Sequence, residues 1–290
     1  MSAGSISEPQ WPNLFVVGAA RAGTTSLWRY LDRHPEIWMA RVKEPNFFSL
    51  VQRPLNPDVH DEASYLRLFA PGAGYKVRGE ASNSYFWAED VPAKIKRVNP
   101  EARILISLRD PVERTYSGYW YLVRLGQEDR PFSQVVQNEL EEPRRRRLLR
   151  SSFYADAVSG YLRTFPGAVQ VLFLEELARD PGREMSRVFD FLGIESVSAP
   201  RHYATVHNAH ALPRGRLAGI VHNSPRVRAA ARLIAPLGLR LRLQQLLVKR
   251  SMRKGIDPEM EAVLTKLFSP DVERLRAVLG RDVPWTRFSG

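Results

Sequence analysis

Residues Asn13–Leu31 read NLFVVGAARAGTTSLWRYL, and they decide what the rest of the chain can be. Leu14–Val17 is an unbroken apolar run, the pattern of a strand buried on both faces. Gly18–Gly23 follows as a loop bounded by glycine, and the pattern predicts a helix opening at Thr24. A strand, a tight glycine loop and a helix N-terminus make an anion site, because backbone N–H groups converge there and the helix dipole favours negative charge. The spacing, Gly-x4-Gly followed by Thr24-Thr25, is that of a phosphate loop. A loop serving a nucleoside triphosphate has Lys directly after its second Gly, to reach the β- and γ-phosphates. Here Thr24 stands in that place and Arg21 is the loop's only cation. The stretch suits a phosphate and is poorly equipped for a triphosphate. The plainer alternative is an ordinary βα turn rich in small residues.

The 290 residues are enough for one large α/β domain, and no repeat or Pro/Gly/Ser-rich linker divides them. Residues 1–11 read as a loose tail and 12–290 as the domain. Cys is absent, which excludes disulfides, thiolate metal sites and Cys nucleophiles. The six His show no metal-ligand spacing, so no metal is expected. The first residues have neither a charged n-region nor an apolar h-region, and no apolar run reaches the ~18 residues of a membrane span. A cytoplasmic protein is expected. The net charge of +12 suits an anionic ligand, nucleic acid or an acidic membrane surface. No zinc-finger or RNP spacing supports nucleic acid.

Along the chain, Glu36–Ala40 and Tyr75–Gly79 read as short strands, and Arg103–Leu108 and Val169–Leu174 as buried ones. Helices are predicted over Glu62–Phe69, Val91–Val98, Phe153–Phe165, Pro181–Leu192, Pro258–Leu267 and Val272–Leu279. Residues 126–150 are charged, and RRRRLLR at 144–150 reads as a solvated helix face. Strands alternating with helices argue for a parallel sheet with helices on both faces, in a single P-loop-like α/β domain. Asp110, Pro111 and Glu113 form a helix-start signature, so Arg109 falls at the end of a strand and Ser117 two turns into the next helix. Both can point at one anion beyond the strand ends, where open α/β sheets bind ligands. Lys43-Glu44-Pro45-Asn46-Phe47-Phe48 reads as a loop pinned by its Phe residues, holding Glu44 beside the phosphate loop; a solvated surface Lys-Glu pair is the alternative. Ala211–Gly255 has no acidic residue and many Arg, and parts of it read as basic amphipathic helix. It ends in the cationic run Lys249, Arg250, Ser251, Met252, Arg253, Lys254.

These pieces, in this order, resemble the sulfotransferases that use 3′-phosphoadenosine 5′-phosphosulfate (PAPS), most closely the branch of bacterial and heparan sulfate N- and 3-O-sulfotransferases. The resemblance covers roughly residues 12 to 288. GAARAGTTSL resembles the 5′-phosphosulfate loop, with Arg21 where Lys is common; it implies cofactor contacts from Arg21, Ala22, Gly23, Thr24, Thr25 and Ser26. LISLRDPVERTYSGY resembles the 3′-phosphate motif, implying that Arg109 and Ser117 hold the ribose 3′-phosphate. VKEPNFF resembles the segment carrying the catalytic carboxylate, here Glu44. The run at 249–254 matches the family's last phosphate loop only loosely, so Lys249 with Arg250, or Arg253 with Lys254, is implied near phosphate. The glycan enzymes carry a catalytic Lys where this chain has Ala81, and its role would pass to Arg21 or Lys43.

The resemblance implies sulfuryl transfer from PAPS to a hydroxyl or amine of a sugar, lipid or small molecule, leaving 3′-phosphoadenosine 5′-phosphate (PAP). The transfer would be in line and metal-free, with Glu44 as general base and His207 or His210 as substitutes. The rivals are a P-loop kinase or ATPase, against which Thr24 and Arg109 weigh, and a basic nucleic-acid-binding protein. Peripheral contact of Ala211–Gly255 with an anionic membrane is an alternative to covering the cofactor.

Overall fold

The buried strand comes first because its side chains have nowhere else to go. In a computed structural model that describes residues 11–49, 59–125, 127–142, 147–196, 211–213, 248–250 and 255–289, β1 (Leu14–Gly18) is the middle of a five-stranded sheet and is buried along its whole length. The other strands are β2 (Ile37–Met39), β3 (Val77–Ala81), β4 (Arg103–Leu108) and β5 (Val169–Phe173), in the order β2-β3-β1-β4-β5 and all parallel. Parallel neighbours need long crossovers, which the chain supplies as helices. This is the P-loop-like parallel sheet that the alternation of elements predicts.

The helices are α1 (Thr24–Leu31), α2 (Glu62–Arg67), α3 (Val91–Val98), α4 (Pro111–Arg124), α5 (Phe132–Glu141), α6 (Ala155–Thr164), α7 (Leu174–Arg179), α8 (Pro181–Leu192) and α9 (Pro258–Leu279). Alternation along the strands sends side chains to opposite faces. Leu14 and Val16 of β1 and Leu105 of β4 pack with Leu27 and Leu31 of α1 and with Met185, Val188 and Phe189 of α8. Phe15 meets the ring of Phe48, which also touches the rings of Tyr65 and Tyr85, and Phe86 meets Tyr154 in a separate contact.

The chain forms two compact units. One comprises Met1–Pro111, Phe153–His207 and Thr265–Gly290; the other comprises Val112–Ser152 and Asn208–Leu264. The five-stranded sheet belongs to the first. In the second, Tyr116 and Tyr119 of α4 pack with Val135 of α5 and Leu148, and the Glu139 carboxylate accepts the backbone N–H groups of Leu148 and Leu149. Leu148 and Leu149 are therefore core within the arginine run, while Arg147 and Arg150 face solvent.

Four expectations change. β3 starts and ends two residues later than predicted, which brings Glu80 and Ala81 into the sheet. The strand predicted over Val169–Leu174 stops at Phe173, and Leu174 opens a helix, α7, with Glu175 and Glu176 in its first turn. The two predicted C-terminal helices are one, α9, with Pro270 inside it. Leu264, Phe268, Val272 and Leu275 form a single buried stripe across the proline, and that burial outweighs the lost N–H. Finally, the ends of the basic segment are extended: β6 (Ala211–Pro213) pairs antiparallel with β7 (Val248–Arg250), because Pro213 breaks a helix and Val248 favours strand. Residues 214–247 lie outside the described part.

The C-terminus is docked by its aromatics. Trp285 is buried against Tyr154 and Phe173, and its indole N–H donates to Glu175 Oε2 at 3.1 Å. Trp285→Ala should cost about 3–5 kcal/mol of stability, read as a lower urea midpoint at unchanged slope.

Candidate active site

The loop after β1 is shaped by two glycines. Gly18 has φ +145°, and a Cβ there would lie 2.7 Å from Cβ of Phe86; Gly23 has φ +85°, and a Cβ would lie 2.6 Å from Cδ1 of Leu174. At Gly18 the dihedral angle and the space both call for glycine, and at Gly23 the positive φ does. Gly23 is also the residue before α1, which has no side-chain cap and no acidic residue in its first turn. The N-terminus of α1 thus has no cap from its own side chains, an arrangement that suits an anion. β4 holds the loop from beside: the Ala19 N–H donates to the Ser107 carbonyl at 2.7 Å, and Ser107 Oγ donates to the Ala22 carbonyl at 2.6 Å. Thr24 and Ser26 are buried in the first turn, and Thr25 is half-buried. Arg21 has φ +71°.

Glu44 sits against this loop through β3. Its N–H donates to the Ala81 carbonyl at 2.9 Å, one residue before the Ser82 N–H that donates to the Val16 carbonyl of β1 at 3.1 Å. Its carboxylate is held by three donors: Asn83 N–H to Oε2 at 2.8 Å, Asn83 Nδ2 to Oε1 at 2.6 Å, and Lys43 Nζ to Oε1 at 2.5 Å. Among the described residues Oε2 accepts one N–H and Oε1 two, so Oε2 keeps capacity to accept a proton. The Asn83 carbonyl lies 3.5 Å from the Cβ position of Gly18. The Lys43–Glu44 pair is therefore a built, partly exposed pair at 20% and 18%, and not a solvated one. Glu44 and Asn46 have φ +64° and +54°. With Arg21 they place three left-handed non-glycine residues in two neighbouring loops, which costs of order 1–3 kcal/mol each and collects at functional sites.

Arg109 follows β4, at the point where the chain's crossovers reverse direction across the sheet, with β1 and β4 as neighbours. Its turn is clamped. The Tyr154 hydroxyl donates to the Arg109 carbonyl at 2.9 Å, the Asp110 N–H to Glu175 Oε1 at 3.0 Å, and Arg287 Nε pairs with Asp110 Oδ2 at 2.9 Å. Asp110 is buried in that ion pair. Ser117 is buried in α4, in the second unit. Lys249 and Arg250 lie in β7, and Arg253, Lys254, His207 and His210 lie outside the described residues. Among the described residues no group of His, Cys, Asp and Glu could hold a metal ion, and no helix is long and apolar enough to cross a membrane.

The residues that sequence reasoning missed are the supports: Asn83, Ser107, Tyr154, Glu175, Arg287 and above all Glu80. Glu80 is fully buried in β3 and accepts from the hydroxyls of Tyr65 (2.6 Å), Tyr85 (2.9 Å) and Ser82 (2.6 Å). Burial pushes its carboxyl up to about 7, the three hydroxyls pulling down and nearby Glu44 pushing up.

A family model for the sulfotransferase domain matches residues 12–218. The chain belongs to the sulfotransferase family. Human heparan sulfate glucosamine 3-O-sulfotransferase 3B1 is 29% identical over 203 residues, 67% of this chain and 49% of that protein. The human bifunctional heparan sulfate N-deacetylase/N-sulfotransferase 3 is 29% identical over 198 residues, 63% of this chain and 22% of that protein. The chain thus spans about half the length of the first of these relatives. A sulfotransferase from Alicyclobacillus acidocaldarius superposes with a TM-score of 0.69 at 31% identity, covering 94% of this chain and 97% of that one. The mouse sulfotransferase SULT7A1, crystallised with PAP, shares the fold at 14% identity, with a TM-score of 0.54 and 94% and 88% of the two chains covered.

Glu80 holds a proton in the folded state that the unfolded chain releases above its ordinary 4.5. Its stabilising contribution is full below pH 4.5 and is lost as pH rises through about 7. The stability of wild type relative to Glu80→Gln should therefore fall by up to roughly 3 kcal/mol across that window. Urea unfolding at a series of pH values checks this, and a constant difference would refute it.

Proposed function

We propose that the protein transfers a sulfuryl group from PAPS to a hydroxyl or amine of an acceptor, with a sugar as the acceptor class that its relatives' names suggest. The observation that carries this reading is the pairing of a helix N-terminus free of any side-chain cap or first-turn acid with a carboxylate, Glu44, held by Asn83 against the same loop. PAPS supplies the sulfuryl group and a 5′-phosphate leaving group. The residues fit it: the loop offers amides and the hydroxyls of Thr24, Thr25 and Ser26, with Arg21 as its cation, and nothing in the loop provides for a β- or γ-phosphate. In the family's 3′-phosphate motif the matching residues are Arg109 and Ser117, and we assign them to that group.

Glu44 takes the acceptor's proton at Oε2, the oxygen with the single N–H partner. Asn83 keeps the carboxylate turned to the loop, and its two bonds hold the group still through the transfer. Lys43 supplies the positive charge that the family's Lys would bring at position 81, where this chain has a buried Ala. Arg21 and the α1 N-terminus stabilise charge gathering on the departing phosphate. Lys249, Arg250, Arg253 and Lys254 are assigned to the family's last phosphate loop on the sequence match alone.

PAP should raise the melting temperature in the absence of Mg²⁺, and by more than ATP does; a ligand at a hundred times its dissociation constant adds ~2.7 kcal/mol to the folded state. A strong response to Mg²⁺-ATP with none to PAP would favour a kinase. Glu44→Gln should lower turnover by ~10² or more and leave PAP affinity nearly unchanged. Turnover near wild type would move the base elsewhere.

A further inference from the structure

We propose that Glu80 is a positioning residue: through Ser82, Tyr85 and Tyr65 it sets the conformation of the loop that carries Glu44. The inference rests on the reading of Glu44 as the base. Its physical content is the direction of three hydroxyl protons. Ser82 Oγ donates to Glu80 Oε2 at 2.6 Å and accepts the Asn46 N–H at 3.1 Å. The Tyr85 hydroxyl donates to Glu80 Oε1 at 2.9 Å and accepts the Phe48 N–H at 3.2 Å. The Tyr65 hydroxyl donates to Oε1 at 2.6 Å, and its ring stacks on Phe47 at 4.4 Å and 12°.

A hydroxyl has one proton, and an ionised carboxylate only accepts. Once ionised, above about pH 7, Glu80 therefore draws all three protons towards itself, and the lone pairs of Ser82 and Tyr85 are left facing the loop's N–H groups. Residues 46, 47 and 48 are each fixed by a group that Glu80 orients. The Asn46 side chain passes this back, donating from Nδ2 to the Glu44 carbonyl at 2.8 Å. The segment so held contains the left-handed Glu44 and Asn46, a conformation that needs outside support. A carboxylate buried under aromatic rings is costly, and a position needed only for packing would be filled by an apolar side chain.

Glu80→Gln keeps the shape and breaks the logic. An amide has an acceptor end and a donor end. With the NH₂ group at the Oε2 place Ser82 meets a donor, and with it at the Oε1 place Tyr65 and Tyr85 both do, so either way Ser82 or Tyr85 must turn its proton towards the loop N–H it formerly accepted. Hydrogen exchange of the Asn46 and Phe48 amides reads this directly, in alkaline buffer where Glu80 is ionised and without any substrate. Protection at one or both amides should fall ~10-fold or more in Glu80→Gln, as for loss of a hydrogen bond to a charged group's network. It should fall at Asn46 in Ser82→Ala and at Phe48 in Tyr85→Phe. Turnover should drop by ~10-fold or more in Glu80→Gln and in Ser82→Ala, with PAP affinity unchanged, and the double variant should be no worse than the more impaired single one, because both cut one path.

Unchanged exchange at both amides in folded Glu80→Gln overturns the proposal. So does additivity of Glu80→Gln and Ser82→Ala, or a loss confined to PAP affinity. If Glu80→Gln does not fold, Ser82→Ala and Tyr85→Phe, which each remove one oxygen, carry the same test. The exchange arm reads the loop alone and turnover of Glu44→Gln reads the base alone. Loss of protection together with an active Glu44→Gln would retain the support role of Glu80 and refute the assignment of the base.

Discussion

Everything in the site depends on β1 being paired on both sides. Each of its side chains is buried, and its backbone is bonded to β3 and β4, so the strand has no freedom of register or direction. A one-residue slip would turn Leu14 and Val16 away from α1 and α8 and put Phe15 among them. The loop at its end inherits that certainty. It must leave the sheet at Gly18 and enter α1 at Gly23, and both residues have positive φ with a neighbour where a Cβ would go. The amides proposed to hold the donor's phosphate are therefore presented by the most constrained part of the molecule.

Around that fixed loop the chemistry is divided between elements of different stiffness. β4 carries Ser107, which ties the loop from below, and leads into Arg109. The turn at Arg109 and Asp110 is held by residues far away in sequence: Tyr154, Glu175 and Arg287. Tyr154 is itself fixed, since the buried Asp271 carboxylate of α9 accepts its N–H at 2.6 Å. The C-terminal segment thus supports the turn that carries Arg109 at the end of β4. Glu44 is different. It lies in a loop with unfavourable backbone angles, and polar contacts to β3 and the residues after it, not regular hydrogen-bonded structure, keep it in place.

Membership of the sulfotransferase family gives this arrangement a chemical sense. Sulfuryl transfer asks for a held anion, a placed base and charge stabilisation on the leaving group, with little else from the protein. The exchange of the family's Lys for Ala81 is tolerated sterically because the position is a buried strand residue against Val16 of β1. Its carbonyl accepts the Glu44 N–H, a backbone role that any side chain would serve.

The elements with a strong local pattern were legible in the sequence: β1, α1, β4, α4 and α8, because unbroken apolar runs, glycine spacing and a Pro at the first helical position act over a few residues. The same is true of Gly18, Gly23, Arg109 and Glu44 as members of motifs. What only the tertiary structure decided is how those residues are held. Glu80 falls just past the strand predicted over Tyr75–Gly79, yet it lies inside the sheet, its carboxylate satisfied by the hydroxyls of Ser82, Tyr85 and Tyr65, which the fold turns inwards. Asn83 on Glu44, Arg287 on Asp110 and the continuity of α9 across Pro270 have the same origin. Each is a contact between segments distant in sequence, whose free energy comes from burial and pairing that exist only once the chain has folded.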